Sequence, residues 1–339
     1  MSSFIFKYIQ KGSKVDIKGL FSSNTSFWQS HLWAEILVKT NQAEVIIAEN
    51  KDSLLIERRK IWWKYTWLYI LGADSSLITA DFLASLRSEI STKNDLFLQI
   101  EPLSENVQRS TFNVQRSKAP FRRFIEPVTA LLDLTIPEEE LLASFAEKGR
   151  YNIRLAQKRW VTTRWVGASE ACNEEWQKKK TYIEVFFDLL DETTQRDGFA
   201  HNSLAYYKNF VETLESSNAG GLLIAEKDGI LHAAGIFAYW GDTAIYYYGA
   251  SSSDKEIRRD MATYLLQWDA IRAGIKRGCK IYDFLGISED WKGKLAWVTE
   301  FKLRFNPEKK HWPQEQVIIL KPMLLFIFRC ISKARKMFK

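Results

Sequence analysis

Between residues 147 and 160 the chain reads EKGRYNIRLAQKRW. Folded as a helix, this stretch stacks Arg150, Arg154 and Lys158 one turn apart along one stripe. Ile153, Ala156 and Trp160 fall on a neighbouring apolar stripe. Lys148 and Arg159 widen the basic side, and only Glu147 offsets it. Such a ridge suits an anionic backbone. It neutralises phosphates, gives affinity without reading sequence, and weakens with salt. The bland alternative is a solvated helix face; the excess of cations favours phosphate.

Other residues could do chemistry singly. Glu101 closes the strand-like run DLFLQIE and precedes Pro102. A carboxylate there could orient or deprotonate an incoming amine, or stand exposed at a strand end. Asp283 lies between Tyr282 and Phe284 in an apolar run, where a buried carboxylate needs partners. Tyr246 and Tyr248 share one face of their strand and either line a cleft or pack in the core. Cys172, Cys279 and Cys330 are scattered, and the four histidines form no HxxxH pair. No metal site or disulfide framework is expected, and a reducing cytoplasm fits.

These residues must be held by elements, and two segments share an order. EVIIAEN, SLLIERRK and YTWLYILG read as three strands, TADFLASLRSEI as a helix, and DLFLQIEP as a strand. Later, GLLIAEK and ILHAAGIFAYW flank the turn pair DG, and TAIYYYGAS follows. EIRRDMATYLLQWDAIRAGIKRG then reads as one long helix stopped by Gly278, and KIYDFLG as a strand. Both copies run β-β-β-α-β, which suggests an internal duplication. The expected class is α+β, with two tandem GNAT-like domains whose mixed sheets are flanked by helices. The boundary is placed near Thr135, giving 1–135 plus 313–339, and 136–312. The pentamer NVQRS, at 106–110 and 113–117, reads as a surface-loop duplication.

Meander, helix, strand is the core order of acyl-CoA N-acyltransferases. Those enzymes cradle a pyrophosphate on glycine-rich backbone at the start of the helix. Here that place reads SSDKEIRRDMATYLL, without glycine. Coenzyme A is therefore disfavoured, and no cofactor is expected.

Eight blocks in order resemble the Fem-type (FemABX) transferases, which build peptidoglycan cross-bridges from aminoacyl-tRNA. They are SFWQSHLWAEIL through Gln29, Ser30 and Trp33; FLQIEP; KGRYNIRLAQKRWVTT; ETTQRDGF with a following YY; YYYGAS; YLLQWDAI; YDFLGI; and EFKLRF. They span nearly the whole chain. One departure is Trp160-Val161, where the family has Gly-Val. Another is Asn306-Pro307, where glycines are common.

The resemblance implies aminolysis of an ester. An amine of the acceptor attacks the aminoacyl ester of tRNA, an oxyanion develops, and the tRNA hydroxyl leaves. It implies that Lys302 stands near the transferred carbonyl, with Phe301 beside it. On the strand this run suggests, the two would face opposite ways. It implies that Arg196 contacts the phosphates of a nucleotide-linked acceptor, a task suited to its planar fork. The implied partners are aminoacyl-tRNA and a nucleotide- or lipid-linked peptidoglycan precursor. Two other readings stand beside this one: a transferase for another cell-surface acceptor, and a nucleic-acid-binding protein on a catalytically dead scaffold.

The bulk numbers agree with a folded chain. Of 339 residues, 46% are hydrophobic and 13 are Trp, so the chain is not largely disordered. Net charge is +7, which favours anionic partners. The opening MSSFIFKYIQKGSK lacks the apolar core of a secretory signal. MLLFIFRCI, at 323–331, is too short to span a bilayer and runs into the basic SKARKMFK. That tail is read as a helix on the body with a basic end, or as a peripheral contact with an anionic membrane.

Overall fold

The structure, a computed structural model, describes residues 4–10, 17–22, 24–103, 123–172, 180–198, 200–290, 293 and 295–337. The side chains of residues 62, 329 and 331–337 are not described, and the NVQRS repeats lie outside the described residues. The chain divides into two compact units. One comprises 1–125 and 312–339, the other 126–311.

The first unit begins with β1 (Ile5–Ile9) and α1 (His31–Thr40). The strands β2 (Glu44–Glu49), β3 (Ser53–Trp62) and β4 (Tyr65–Leu71) form the meander. After it come α2 (Ala80–Ser85) and β5 (Asp95–Glu101). The QS..W block explains itself here. Ser30 caps α1 by accepting from the Trp33 N–H at 3.2 Å. Gln29 acts as a substitute strand, accepting from the Leu55 N–H at 2.8 Å and donating to the Leu71 carbonyl at 2.8 Å. The Trp33 indole donates to Glu57 at 2.7 Å.

The second unit begins with β6 (Val128–Asp133), α3 (Glu138–Ser144), α4 (Glu147–Lys158) and β7 (Thr162–Val166). Next come α5 (Tyr182–Asp197) and α6 (Leu204–Ser216). The meander here is β8 (Gly220–Lys227), β9 (Ile230–Trp240) and β10 (Thr243–Ser251). The expected single long helix is two. α7 (Lys255–Arg258) and α8 (Ala262–Lys276) are separated at Met261, whose φ of +56° breaks the helix. β11 (Ile281–Ile287), α9 (Ala296–Leu303) and β12 (Glu308–His311) complete the unit. The chain then returns to the first unit with β13 (Gln316–Ile319) and α10 (Pro322–Met337).

Among the described residues, the sheets are ordered β1-β2-β3-β4-β5-β13 and β12-β6-β11-β10-β9-β8-β7. Both are mixed, since β4 and β5 are parallel, as are β10 and β11, while the other pairs are antiparallel. The fold is thus α+β, two GNAT-like layers of sheet and helix. β6 pairs with β11 and β12, so it belongs to the second unit, and the division falls after Ile125 rather than at Thr135. Each unit has its own core. Leu68, Ile70, Phe82 and Leu98 centre the first, and Phe145, Ile153, Leu265, Phe284 and Phe305 the second.

Candidate active site

β10 and β11 are neighbours only at their starts. Thr243, Ala244 and Ile245 pair with Ile281, Tyr282 and Asp283. Further on, β10 stays with β9 and β11 stays with β6. Both arms are irregular there. β10 shifts register between Tyr246 and Tyr248, and β11 between Asp283 and Gly286.

A cavity of about 710 Å³ lies along the β10 arm, within the range of small-molecule sites. Of the residues nominated from sequence, it gathers Lys148, Arg196, Tyr246, Tyr248 and Phe301. Tyr248 and Tyr206 share a hydroxyl–hydroxyl hydrogen bond of 3.1 Å. Burial pushes the Tyr246 hydroxyl up to about 12, against a hydrogen bond from Gln267. Burial also pushes Tyr248 well up. Both tyrosines are therefore neutral hydrogen-bonding groups near pH 7. Gly249 leaves room for Tyr246, because an added Cβ would lie 1.7 Å from the Tyr246 hydroxyl and would displace that ring.

Arg196 stands at the end of α5, where Gly198 adopts φ +72° and stops the helix. Its Nε and Nη2 each donate to Asp197 at 3.0 Å, and Nη1 donates to Ser253 at 3.2 Å. Its guanidinium also lies 5.5 Å from the Trp297 ring centroid. An anion at this place would compete with Asp197 for the fork.

Lys302 does not line the cavity. The FK run is helical, not a strand: α9 turns Phe301 to the cavity and Lys302 inward. The alternation read from sequence fails because Thr299 and Lys302 are buried together at helical spacing. Lys302 is 6% exposed. Its ammonium donates to the Gly286 carbonyl at 2.7 Å, and the Leu285 carbonyl lies 3.4 Å away. These are the carbonyls of the irregular β11 arm, where Leu285 holds φ +58°. Burial pulls the Lys302 ammonium down to about 8, while Asp283 and Glu126 oppose that shift. Asp283 accepts from the Thr129 hydroxyl, and from the Leu285 N–H at 2.7 Å. Burial raises its carboxyl above the usual range despite those bonds. Asp283 fastens the bulge that Lys302 faces.

Glu101 belongs to the first unit and is 2% exposed. Its carboxylate accepts from the N–H groups of Ile125 at 2.8 Å and Phe124 at 3.1 Å, and from Gln99 at 2.8 Å. Burial raises its carboxyl, and these bonds work against the shift. It is an anchor for returning backbone, not an exposed strand-end group.

The basic ridge is partly used up. Arg150 donates to the carbonyls of Ala143 and Phe145, satisfying the end of α3. Arg159 is paired with Asp260 at 3.3 Å and with the Arg259 carbonyl. Arg154 and Lys158 are exposed and carry no partner among the described residues.

Sequence reading missed Gln267 and Asn152. Gln267 accepts from Tyr282 at 2.6 Å and is buried in the apolar stripe of α8. A lone amide in such a stripe is the signal that could have found it. Asn152, likewise buried in the inner stripe of α4, bonds the Tyr264 hydroxyl.

Residues 147–293 match the acetyltransferase (GNAT) domain family. A lipid II:glycine glycyltransferase of Staphylococcus epidermidis is 21% identical over 248 residues, covering 52% of this chain and 56% of that protein. The Staphylococcus aureus glycyltransferase is 26% identical over 106 residues, covering 31% of this chain and 22% of that protein. The chain thus spans about half or less of the length of these relatives. The crystal structure of FemX superposes with a TM-score of 0.74 at 16% identity, over 95% of this chain and 99% of that one. The chain is thus similar in part of its sequence to these glycyltransferases and shares the fold of FemX. A conserved Bacteroides thetaiotaomicron protein of unknown function shares the fold, with a TM-score of 0.58 at 12% identity over 94% of this chain and 100% of that one. The Fem-type blocks map onto both kinds of role seen above. Gln29, Ser30 and Trp33 hold the scaffold, while YYYGAS and EFKLRF bracket the diverging arms.

Proposed function

We propose that this chain is a Fem-type acyltransferase that moves an amino acid from aminoacyl-tRNA to the peptide-stem amine of a peptidoglycan precursor. The carrying observation is the buried ammonium of Lys302 against the irregular β11 arm. An ammonium has three N–H donors, and two meet the Gly286 and Leu285 carbonyls. The third is left for the oxyanion that forms when the amine attacks the ester carbon. The carbon–nitrogen bond forms, the bond to the tRNA hydroxyl breaks, and the amine's proton passes to the departing oxygen. In a water-poor site such a donor contributes far more than in solvent. A pKa near 8 keeps it protonated at neutral pH.

In this proposal the ester lies beside the β11 arm. The anionic part of the acceptor occupies the cavity near Arg196 and Lys148, and Phe301 is the wall between them. Asp283 and Glu101 hold backbone and take no proton. The staphylococcal relatives are named for lipid II and glycine, which supports a lipid-linked acceptor and a small amino acid here. A helix stripe supports the same reading: Met323, Phe326 and Ile327 of α10 are all exposed. No helix among the described residues is long and apolar enough to cross a membrane. The proposed location is the cytoplasm, with peripheral contact at the inner face of the membrane, where a lipid-linked acceptor would be met.

The test is transfer of labelled amino acids from a charged tRNA pool to nucleotide-linked and lipid-linked precursors, with wild type and Lys302→Ala. Label in one precursor with wild type alone supports the reaction and identifies donor and acceptor together. No label in either precursor defeats the peptidoglycan assignment and moves the search to another cell-surface acceptor.

A further inference from the structure

Trp160 is oddly placed for a tryptophan. It follows α4 directly, with φ +62° and 82% of its surface exposed. Its N–H bonds the Gln157 carbonyl at 3.0 Å, and the Val161 N–H bonds the Ala156 carbonyl at 3.1 Å. That pattern is a Schellman ending, whose left-handed position is ordinarily glycine because a side chain is strained there. The indole repays none of that strain in the fold. It makes no ring contact or hydrogen bond with any described residue. Trp63 shares the conformation, but Lys64 lies over its ring at 5.2 Å.

Next to Trp160 the outer stripe of α4 carries Tyr151, 60% exposed, with the unpartnered Arg154 and Lys158 one turn apart. Cations interleaved with open aromatic rings suit a strand of phosphates and unpaired bases. The same stripe contains Glu147, Arg150 and Gln157, so it offers no apolar face for lipid.

We infer that Trp160 is a stacking platform for an unpaired base of RNA whose phosphates follow Arg154 and Lys158. This rests on the aminoacyl-tRNA reading and adds a binding residue to it. Trp160 takes no part in the chemical step.

The experiment measures binding of a labelled hairpin RNA with a single-stranded 3′ end, and of the same hairpin blunt-ended, by fluorescence anisotropy. The proteins are wild type, Trp160→Gly and Trp160→Phe. Trp160→Gly should bind the single-stranded form on the order of five- to a hundredfold more weakly and the blunt form unchanged. Trp160→Phe should recover part of the loss. The melting midpoint of Trp160→Gly should rise, by about 2–4 °C, because the strain is relieved. A structural tryptophan would give the opposite shift. Equal binding of the single-stranded RNA by wild type and Trp160→Gly overturns the stack alone. Wild type that binds neither RNA overturns the donor reading as well. Loss of binding to anionic vesicles instead of RNA would overturn the stack in favour of a membrane contact.

Discussion

The ammonium of Lys302 donates to the Gly286 carbonyl across 2.7 Å, at the point where β11 loses register with β6. Lys302 thus has a structural part beside the chemical part proposed for it, and pH separates the two. Its folded pKa, near 8, lies below the ordinary 10.5. Up to pH 8 both folded and unfolded chains carry the charge, so the folded state bears the full cost of burying it. Between about pH 8 and 10.5 the folded chain has shed a proton that the unfolded chain keeps, so stability rises with pH through that window. The relief is about 3 kcal/mol by the size of the shift. In the proposed reaction transfer needs the charged form and should fall as pH rises through about 8. Denaturant titrations and rate profiles should therefore move in opposite directions. In Lys302→Met the stability rise should vanish and the rate drop about 10²–10³-fold. A Lys302→Met enzyme with near-normal rate would remove Lys302 from the chemistry.

Glu101 should behave as an anchor. Glu101→Ala leaves the Phe124 and Ile125 N–H groups without their acceptor and should cost about 1–3 kcal/mol for each donor that stays buried. Glu101→Gln should cost less, since one oxygen still accepts. Folded Glu101→Gln should keep its turnover within several-fold of wild type. A far larger loss of turnover at unchanged stability would reinstate Glu101 as the base that activates the amine.

Gly149 couples the basic helix to the helix that carries Lys302. A Cβ there would come 2.3 Å from the Arg304 carbonyl, which also accepts from the Ala146 N–H at 3.1 Å. Gly149→Ala must push α9 from α4. It should destabilise by about 1–3 kcal/mol and lower transfer along with stability. Thermal melts and turnover on the same preparation check this; an Ala variant with normal turnover would show that the position of α9 is not critical.

The meanders were legible because short apolar strands and a DG turn are local signals, and β8, β9 and β10 follow them closely. The basic helix was legible too, as α4. What escaped was decided by tertiary context. AWVTEFKL has eight residues, too few for its period to separate helix from strand, so Phe301 and Lys302 were placed on the wrong element. Nothing local marks Met261 as a break, since a left-handed turn at a methionine has no sequence signal of the kind glycine gives. Asp197 occupies the Arg196 fork and α3 occupies Arg150, and spacing alone cannot reveal such partners. Some of the Fem-type blocks line the candidate cavity, yet its inner polar residues, Gln267 and Asn152, look like ordinary helix positions in the sequence.

The last prediction concerns α10. Met323, Phe326 and Ile327 are 81%, 68% and 50% exposed, while Leu325 is buried. Spacings of three and four place the exposed residues on one stripe. The sequence that follows supplies Lys333, Arg335 and Lys336. Apolar side chains beside cations suit an interface of acyl chains and anionic headgroups, each cation adding about 1 kcal/mol near the surface. The full chain should cosediment with vesicles containing phosphatidylglycerol and less with purely zwitterionic ones. Phe326→Asp combined with Met323→Asp should reduce that binding at least about tenfold without lowering the melting midpoint, because neither side chain is packed. Transfer to a lipid-linked acceptor in vesicles should fall with binding, while transfer to a soluble acceptor should not. Unchanged vesicle binding in the double variant would leave the stripe as an ordinary exposed face and return the membrane contact to another part of the chain.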